Sequence, residues 1–233
     1  MNTESVNVLN TKSVVVIAID GPSGAGKGTL SQLVAKRLGY HLLDSGALYR
    51  LVALSAIKQA ADLQDEQAIA DIASRLQVKF DVTGEATRIV LAGEDVTDAI
   101  RHENVSMSAS VVAAYPQVRA ALLQRQKDFA QAPGLVADGR DMGTTIFPQA
   151  QVKIFLTASA EARAERRYKQ LIQKGAAVDM AALVKDIKDR DDRDTNRSSS
   201  PLKPAVDALI LDSTALTIEQ VLEAILHKVQ SSI

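Results

Sequence analysis

Residues 14–29 read VVVIAIDGPSGAGKGT, and their reading decides the fold. The opening run, from Val14 to Ile19, is unbroken, apolar and rich in β-branched side chains, and it is far too short to span a bilayer. Such a run is a strand buried on both faces. Asp20-Gly21-Pro22 ends it, and after Ser23 the small residues Gly24, Ala25 and Gly26 leave the turn nearly free of side chains. The backbone N–H groups of such a loop can fold inward around an anion. A helix opening near Lys27 adds unpaired N–H groups and the positive end of its dipole, and Lys27 adds a mobile full charge. Gly21 and Gly26-Lys27 stand at the G-x-x-x-x-G-K spacing of a P-loop, the cradle of nucleotide phosphates. The usual pattern places Ser or Thr directly after the lysine. Here Gly28 intervenes and Thr29 follows, so direct Mg²⁺ ligation by a loop hydroxyl is not implied.

The length of 233 residues suits one domain, or a core with one sizeable insertion. Lys plus Arg number 27 against 28 for Asp plus Glu, so no global basic field points to nucleic acid or to a membrane surface. Aromatic residues make up 3%, too few for a row of base-stacking platforms. The absence of cysteine excludes disulfides and thiolate metal sites. His41, His102 and His227 have no ligand spacing and read as surface or satisfied histidines. Residues 1–13 are polar and no secretory hydrophobic stretch follows, which reads as a flexible tail on a cytoplasmic protein.

Leu30, Leu33, Val34 and Leu38 recur at helical spacing up to a stop at Gly39. His41-Leu42-Leu43 reads as a second strand ending in Asp44-Ser45-Gly46, with a helix from Ala47 that carries Tyr49 and Arg50 in its first turn. Asp65 caps a helix whose stripe is Ile69, Ile72, Ala73 and Leu76. The period then changes to two. Val78, Phe80 and Val82 alternate with Lys79 and Asp81, Thr83-Gly84-Glu85 turns the chain, residues 88–91 run back, and Val96 falls in a third short strand. This antiparallel meander sits inside a chain that otherwise alternates strand and helix, so residues 62–110 or so read as an inserted subdomain that covers a ligand. Beyond it come a helix over 117–129, strands at 135–137 and 152–156, and a helix over 160–174 followed by Gly175. Asp179 caps a helix through Leu183 and Ile187, residues 208–211 form the last strand, and the capping box Thr217-x-x-Gln220 opens a final helix with Ile218, Val221, Leu222 and Ile225 on one face.

The fold class is therefore α/β: a five-stranded parallel sheet wrapped by helices, with a small inserted β-meander and a helical arginine-rich lid at about residues 160–178. Ligands bind such sheets at the carboxyl ends of the strands. The loops around residues 21–29, 44–50 and 138–141, and the helix carrying Arg163, Arg166 and Arg167, are expected to converge there. Arg190, Arg193 and Arg197 recur in KDRDDRDTNR, residues 188–197. Arginine offers a rigid fork that suits phosphate oxygens. Arg193, Asp189 and Asp192 read instead as a solvated helix face with ion pairs.

GPSGAGKGT, LLDSGALYR, ADGRDMGT, RAERRYKQL and RDDRDTNR occur in the order in which they stand in bacterial-type cytidylate kinases, which this chain resembles from about residue 14 to its end. The Gly28-Thr29 departure suits the resemblance, since nucleotide-type kinases carry the same G-K-G-T form. The resemblance implies a nucleoside monophosphate kinase, a monomer that uses ATP with Mg²⁺ and phosphorylates CMP or dCMP. It implies ATP binding by Gly21, Pro22, Ser23, Gly24, Ala25, Gly26, Lys27, Gly28 and Thr29, with Arg163 and Arg167 from the lid. Ser45, Arg50, Ser110, Arg119, Arg140, Asp141, Arg190 and Asp194 are implied in CMP binding, and Lys27, Arg140, Arg190 and Arg197 in catalysis. The metal rides on ATP near Thr29 and Asp138, with no direct protein ligand assigned.

Three other readings share parts of this pattern. A kinase for uridylate, shikimate or a related metabolite would keep the P-loop and lid but would not need Asp141 opposite an amino group. A P-loop regulatory ATPase or GTPase would hydrolyse nucleotide without an acceptor, and no guanine-reading motif is evident. A nucleic-acid module is disfavoured by the balanced charge and the few aromatics.

Overall fold

The computed structural model describes residues 14–81, 88–173, 175 and 177–233. Five strands pair in parallel: β1 (Val15–Asp20), β2 (His41–Asp44), β6 (Gly134–Gly139), β7 (Val152–Thr157) and β8 (Leu209–Asp212), in the order β2-β6-β1-β7-β8. The apolar run that opens the chain is the central strand, and its register aligns Asp20 with Gly139 and Phe155. Alternation divides its side chains. Val16 and Ala18 enter one buried cluster and Ile17 and Ile19 the other, and β6 does the same with Leu135 and Ala137 against Val136. On the second face lie α1 (Lys27–Leu38) and α8 (Ile218–Gln230), through Leu30, Val34, Val221 and Ile225. Leu33 and Ile218, counted by spacing in the apolar stripes of these helices, are exposed instead. The Thr217–Gln220 capping box is present in both directions.

On the first face the core runs from β1 and β6 through α2 (Ser45–Lys58) to α3 (Glu66–Ser74), α4 (Glu103–Val112) and α5 (Pro116–Lys127). Asp65 caps α3 through the Ala68 N–H. The helix expected from Ala47 begins two residues earlier, at Ser45, because Asp44 Oδ1 accepts from the Ala47 N–H at 2.8 Å and acts as N-cap. Arg50 consequently lies in the second turn. The antiparallel sheet β3 (Val78–Asp81), β4 (Arg88–Leu91) and β5 (Glu94–Asp95) packs Ile89 and Leu91 into the same cluster. Its third strand is Glu94–Asp95 and not the segment at Val96, whose buried side chain anchors the chain just beyond while its N–H bonds Ile89 O. Val82 and the Thr83-Gly84-Glu85 turn lie outside the described residues, as does Lys174. The segment expected as a lid, at about residues 160–178, contains α6 (Ala160–Gln173), and α6 packs on α7 (Met180–Asn196), which is capped by Asp179, beyond the end of β7.

Candidate active site

At the carboxyl end of β1 the loop from Gly21 enters α1. Gly21 has φ +150°, and a Cβ there would lie 1.9 Å from Leu156 O, so the loop starts pressed against β7. Gly24 (φ +77°) and Gly26 (φ +99°) are left-handed, conformations that leave the loop free to curl. Lys27 is buried under it, with Nζ donating to Pro22 O at 2.9 Å and standing 3.9 Å from Asp138. Burial, then the neighbouring Arg140, pull its ammonium down to about 7, while burial raises Asp138 to about 6. Asp20 is buried too, and both its carboxylate oxygens are engaged at 2.8 Å, one by the Met142 N–H and one by the Gly143 N–H. Those amides belong to the single π-helical turn Met142–Ile146, which closes the loop after β6.

Facing the phosphate loop is a wall rich in arginine. Asp44, the cap of α2, uses its second oxygen to hold Arg50 at 3.0 Å. Arg140 leaves the end of β6 and donates from Nε to buried Asp194 of α7 at 2.8 Å. Arg119 of α5 pairs with buried Asp141, donates to Ala113 O at 3.2 Å and lies 5.6 Å over the Tyr49 ring. Ser45 donates to buried Gln126 at 2.7 Å, and Arg197 donates to Ser200 O at 2.7 Å. Burial and the adjacent Arg140 lower Arg190 to about 10. Between the two walls lies a cavity of about 280 Å³. It is lined by Ser23, Gly24, Gly26, Lys27, Gly28 and Thr29 on one side and by Ser45, Arg50, Ser110, Arg119, Arg140, Asp141, Arg190, Asp194 and Arg197 on the other, with Asp138 between. Buried polar atoms of Tyr49, Arg50, Ser110, Arg190 and Arg197 have no hydrogen-bond partner, and all five residues line this one cavity. Buried polar groups are ordinarily paired, so such a convergence describes the shape of a polar, anionic ligand.

Gly21, Pro22 and Ala25 shape the loop from outside the lining, and neither lid arginine belongs to the lining. Arg163 is buried beneath the loop, bonded to Ala158 O, Ser23 O and Asp191. Arg167 is half-buried and pairs with Glu103 of α4 at 3.1 Å. Asp189 is exposed and pairs with Lys185 one turn away, as the solvated reading expects, whereas Arg193 is half-buried, donating to Asp189 O and reaching Met107 Sδ of α4 at 4.0 Å. Asp20, Asp44, Tyr49 and Asp191 were not singled out from the sequence. For Asp44 a signal existed, an acidic residue three positions before a helical N–H it can cap. For Asp20 none did, because its partners lie more than 120 residues away.

A family model described as cytidylate kinase matches residues 17–231. The chain is 58% identical over 211 residues to the cytidylate kinase of Aeromonas hydrophila, covering 91% of this chain and 92% of that protein. Against the cytidylate kinase of Pseudomonas paraeruginosa it is 58% identical over 217 residues, covering 92% and 95%. Against that of Vibrio parahaemolyticus the figures are 56% over 218 residues, 94% and 96%.

Proposed function

The chain belongs to the cytidylate kinase family, and from that premise we propose how its side chains divide the transfer of the ATP γ-phosphoryl group to CMP or dCMP. The observation that carries the reading is the shared cavity: a phosphate loop on one wall and a cluster of arginines and carboxylates on the other, close enough to bound one small space. An acceptor phosphate oxygen attacks the γ-phosphorus in line with the β–γ bridging oxygen. The bond to that oxygen breaks and its electron pair leaves with ADP. A phosphate monoester has its second pKa near ~6 and is largely a dianion at neutral pH, so no base is needed to prepare it. The task left to the protein is positioning and charge neutralisation.

Residues 21–29 hold the donor phosphates, and Lys27 follows the β- and γ-oxygens as charge shifts toward the bridge. Arg50 and Arg140 grip the acceptor phosphate in bidentate fashion, and Arg190 and Arg197 neutralise the group in flight. The unpaired N–H groups of Arg50, Arg190 and Arg197 support this, since a phosphate supplies the acceptors they lack. Asp194 meets the acceptor ribose with Arg190 and steadies Arg140. Asp141 and Arg119 read the base, beside Ser45 and Ser110. Cytosine presents an amino donor next to two acceptors, which complements an acceptor-only carboxylate beside a donor-only guanidinium. Arg167 lies where the lid meets α4 and closes the site against water.

Mg²⁺ fits as a passenger on ATP. Among the described residues no group of three or more His, Cys, Asp or Glu could hold a metal by itself. Asp138, lining the cavity beside Gly28, and Thr29, lining it too, are the residues we assign to meet the ion or its waters. The ion would neutralise phosphate charge and hold the β- and γ-groups in one geometry. No helix among the described residues is long and apolar enough to cross a membrane. We read the protein as a monomer that works in the cytoplasm, the compartment that ATP and CMP as substrates suit.

The test is ADP release measured with ATP and each nucleoside monophosphate in turn. CMP and dCMP are expected to turn over at least tenfold more efficiently than UMP, with no release in the absence of acceptor. Release without acceptor at a comparable rate would make the protein an ATPase.

A further inference from the structure

The arginine best ordered by its neighbours is Arg163, and it does not line the substrate cavity. It lies near the start of α6 with 4% of its surface exposed. Its Nε donates to Ala158 O at 2.9 Å, just beyond the end of β7. Nη1 donates to Ser23 O at 3.0 Å and to Asp191 Oδ1 at 3.0 Å, and Nη2 donates to the other oxygen of Asp191. One planar fork thus ties together the central sheet, the phosphate loop and α7. The aliphatic stem also matters: a Cβ on Gly24 would stand 3.4 Å from Arg163 Cβ and 3.8 Å from its Cγ, so the loop rests on it.

Ser23 C=O and Gly24 N–H belong to the same peptide, which is planar and trans, so they point in opposite directions. A bond that draws the Ser23 carbonyl onto Arg163 turns the Gly24 N–H away from Arg163, which itself stands outside the cavity that Gly24 lines. We infer that Arg163 is a positioning residue that fixes this peptide in the orientation in which Gly24 N–H donates to a donor phosphate, and that Asp191 makes the orientation depend on where α7 stands. Lysine would not serve equally, because a single ammonium lacks the planar fork that spans Ser23 and Asp191 at once. The inference rests on the reading of residues 21–29 as the donor-phosphate cradle.

The experiment follows the Gly24 amide by ¹⁵N–¹H correlation spectroscopy as ADP with Mg²⁺ is added, alongside KM values for both substrates. In the wild type the Gly24 proton is expected to move downfield on nucleotide binding. In Arg163→Met that shift should fall by more than half, with KM for ATP raised at least tenfold and KM for CMP within twofold. Asp191→Asn should give a smaller change of the same kind, and Asp191→Glu should restore most of it. Equal damage to both substrates together with a lowered melting temperature would mark Arg163 as merely structural and overturn the inference. So would a folded Arg163→Met that keeps the shift and its ATP KM. If that variant does not fold, Asp191→Asn decides by the same criteria. A wild-type Gly24 amide that ignores ADP would instead overturn the donor-cradle reading, and this inference with it.

Discussion

Lys27 carries an ammonium that its surroundings hold only loosely charged, since burial and Arg140 bring its pKa to about 7. A polyphosphate arriving at the loop favours the charged form and raises that pKa again. At pH 8 the free lysine is mostly neutral and the bound one protonated, so ADP binding should take up close to one proton and weaken as pH rises from about 7 to 9. Calorimetry in two buffers of different ionisation enthalpy measures this uptake, which Lys27→Met should abolish. The proposed base choice belongs to the same scale. Asp141 and Arg119 meet within the buried wall, so Asp141→Ala both removes the carboxylate and frees the guanidinium. The ratio of kcat/KM for CMP over UMP should collapse by about ten- to a hundredfold, the equivalent of roughly 1–3 kcal/mol, chiefly through loss of CMP use. A variant that slows both acceptors equally would show Asp141 to be a structural partner of Arg119. The sequence made these residues visible through their motif context. It hid Tyr49 and Asp191, whose roles arise from packing against Arg119 and Arg163, residues distant in the chain.

Among the elements, α2 joins local stability to substrate use. Asp44 caps it with one oxygen and holds Arg50 with the other. Asp44→Ala should cost about 1 kcal/mol through the lost cap and should raise KM for CMP several-fold through the released Arg50. Asp44→Asn separates the two effects, because an amide still caps but holds a guanidinium less firmly. It should restore the melting temperature without restoring KM. Element types were legible because each rests on a local cause. Asp65, Asp179 and Thr217 cap helices where their chemistry permits, and the apolar runs pair as strands of the parallel sheet. Boundaries shifted where the deciding bond is invisible in composition. Ser45-Gly46 has the look of a loop, yet a single carboxylate bond starts the helix there. At Val96 a buried apolar side chain imitates a strand residue one step beyond the strand proper.

Across the whole molecule, fold and chemistry meet at the carboxyl edge of the parallel sheet, where β1, β2, β6 and β7 deliver their loops side by side. The order of strands followed from no single residue, and alternation alone left it open. It follows from which loops must share the cavity, which is a property of the assembled sheet. Asp20 stands at the centre of that edge. It is covalently joined to the donor loop through Gly21, and its carboxylate grips the two amides that follow Arg140 and Asp141. With residues 21–29 assigned to the donor and Arg140 to the acceptor, as proposed above, the span between the two reacting phosphates is gauged by one short side chain, as by the jaw of a caliper. Asp20→Glu adds one methylene to that jaw and moves its two sides apart while changing no side chain that touches substrate. Near-attack geometry is sensitive at the scale of ~1 Å, where misplacement can cost on the order of 10²-fold in rate. The expected signature is a kcat lowered by about that factor with both KM values nearly unchanged, as measured by single-turnover transfer at saturating ATP and CMP. The protein would then hold both reactants as tightly as before, at a separation too wide for the phosphoryl group to cross.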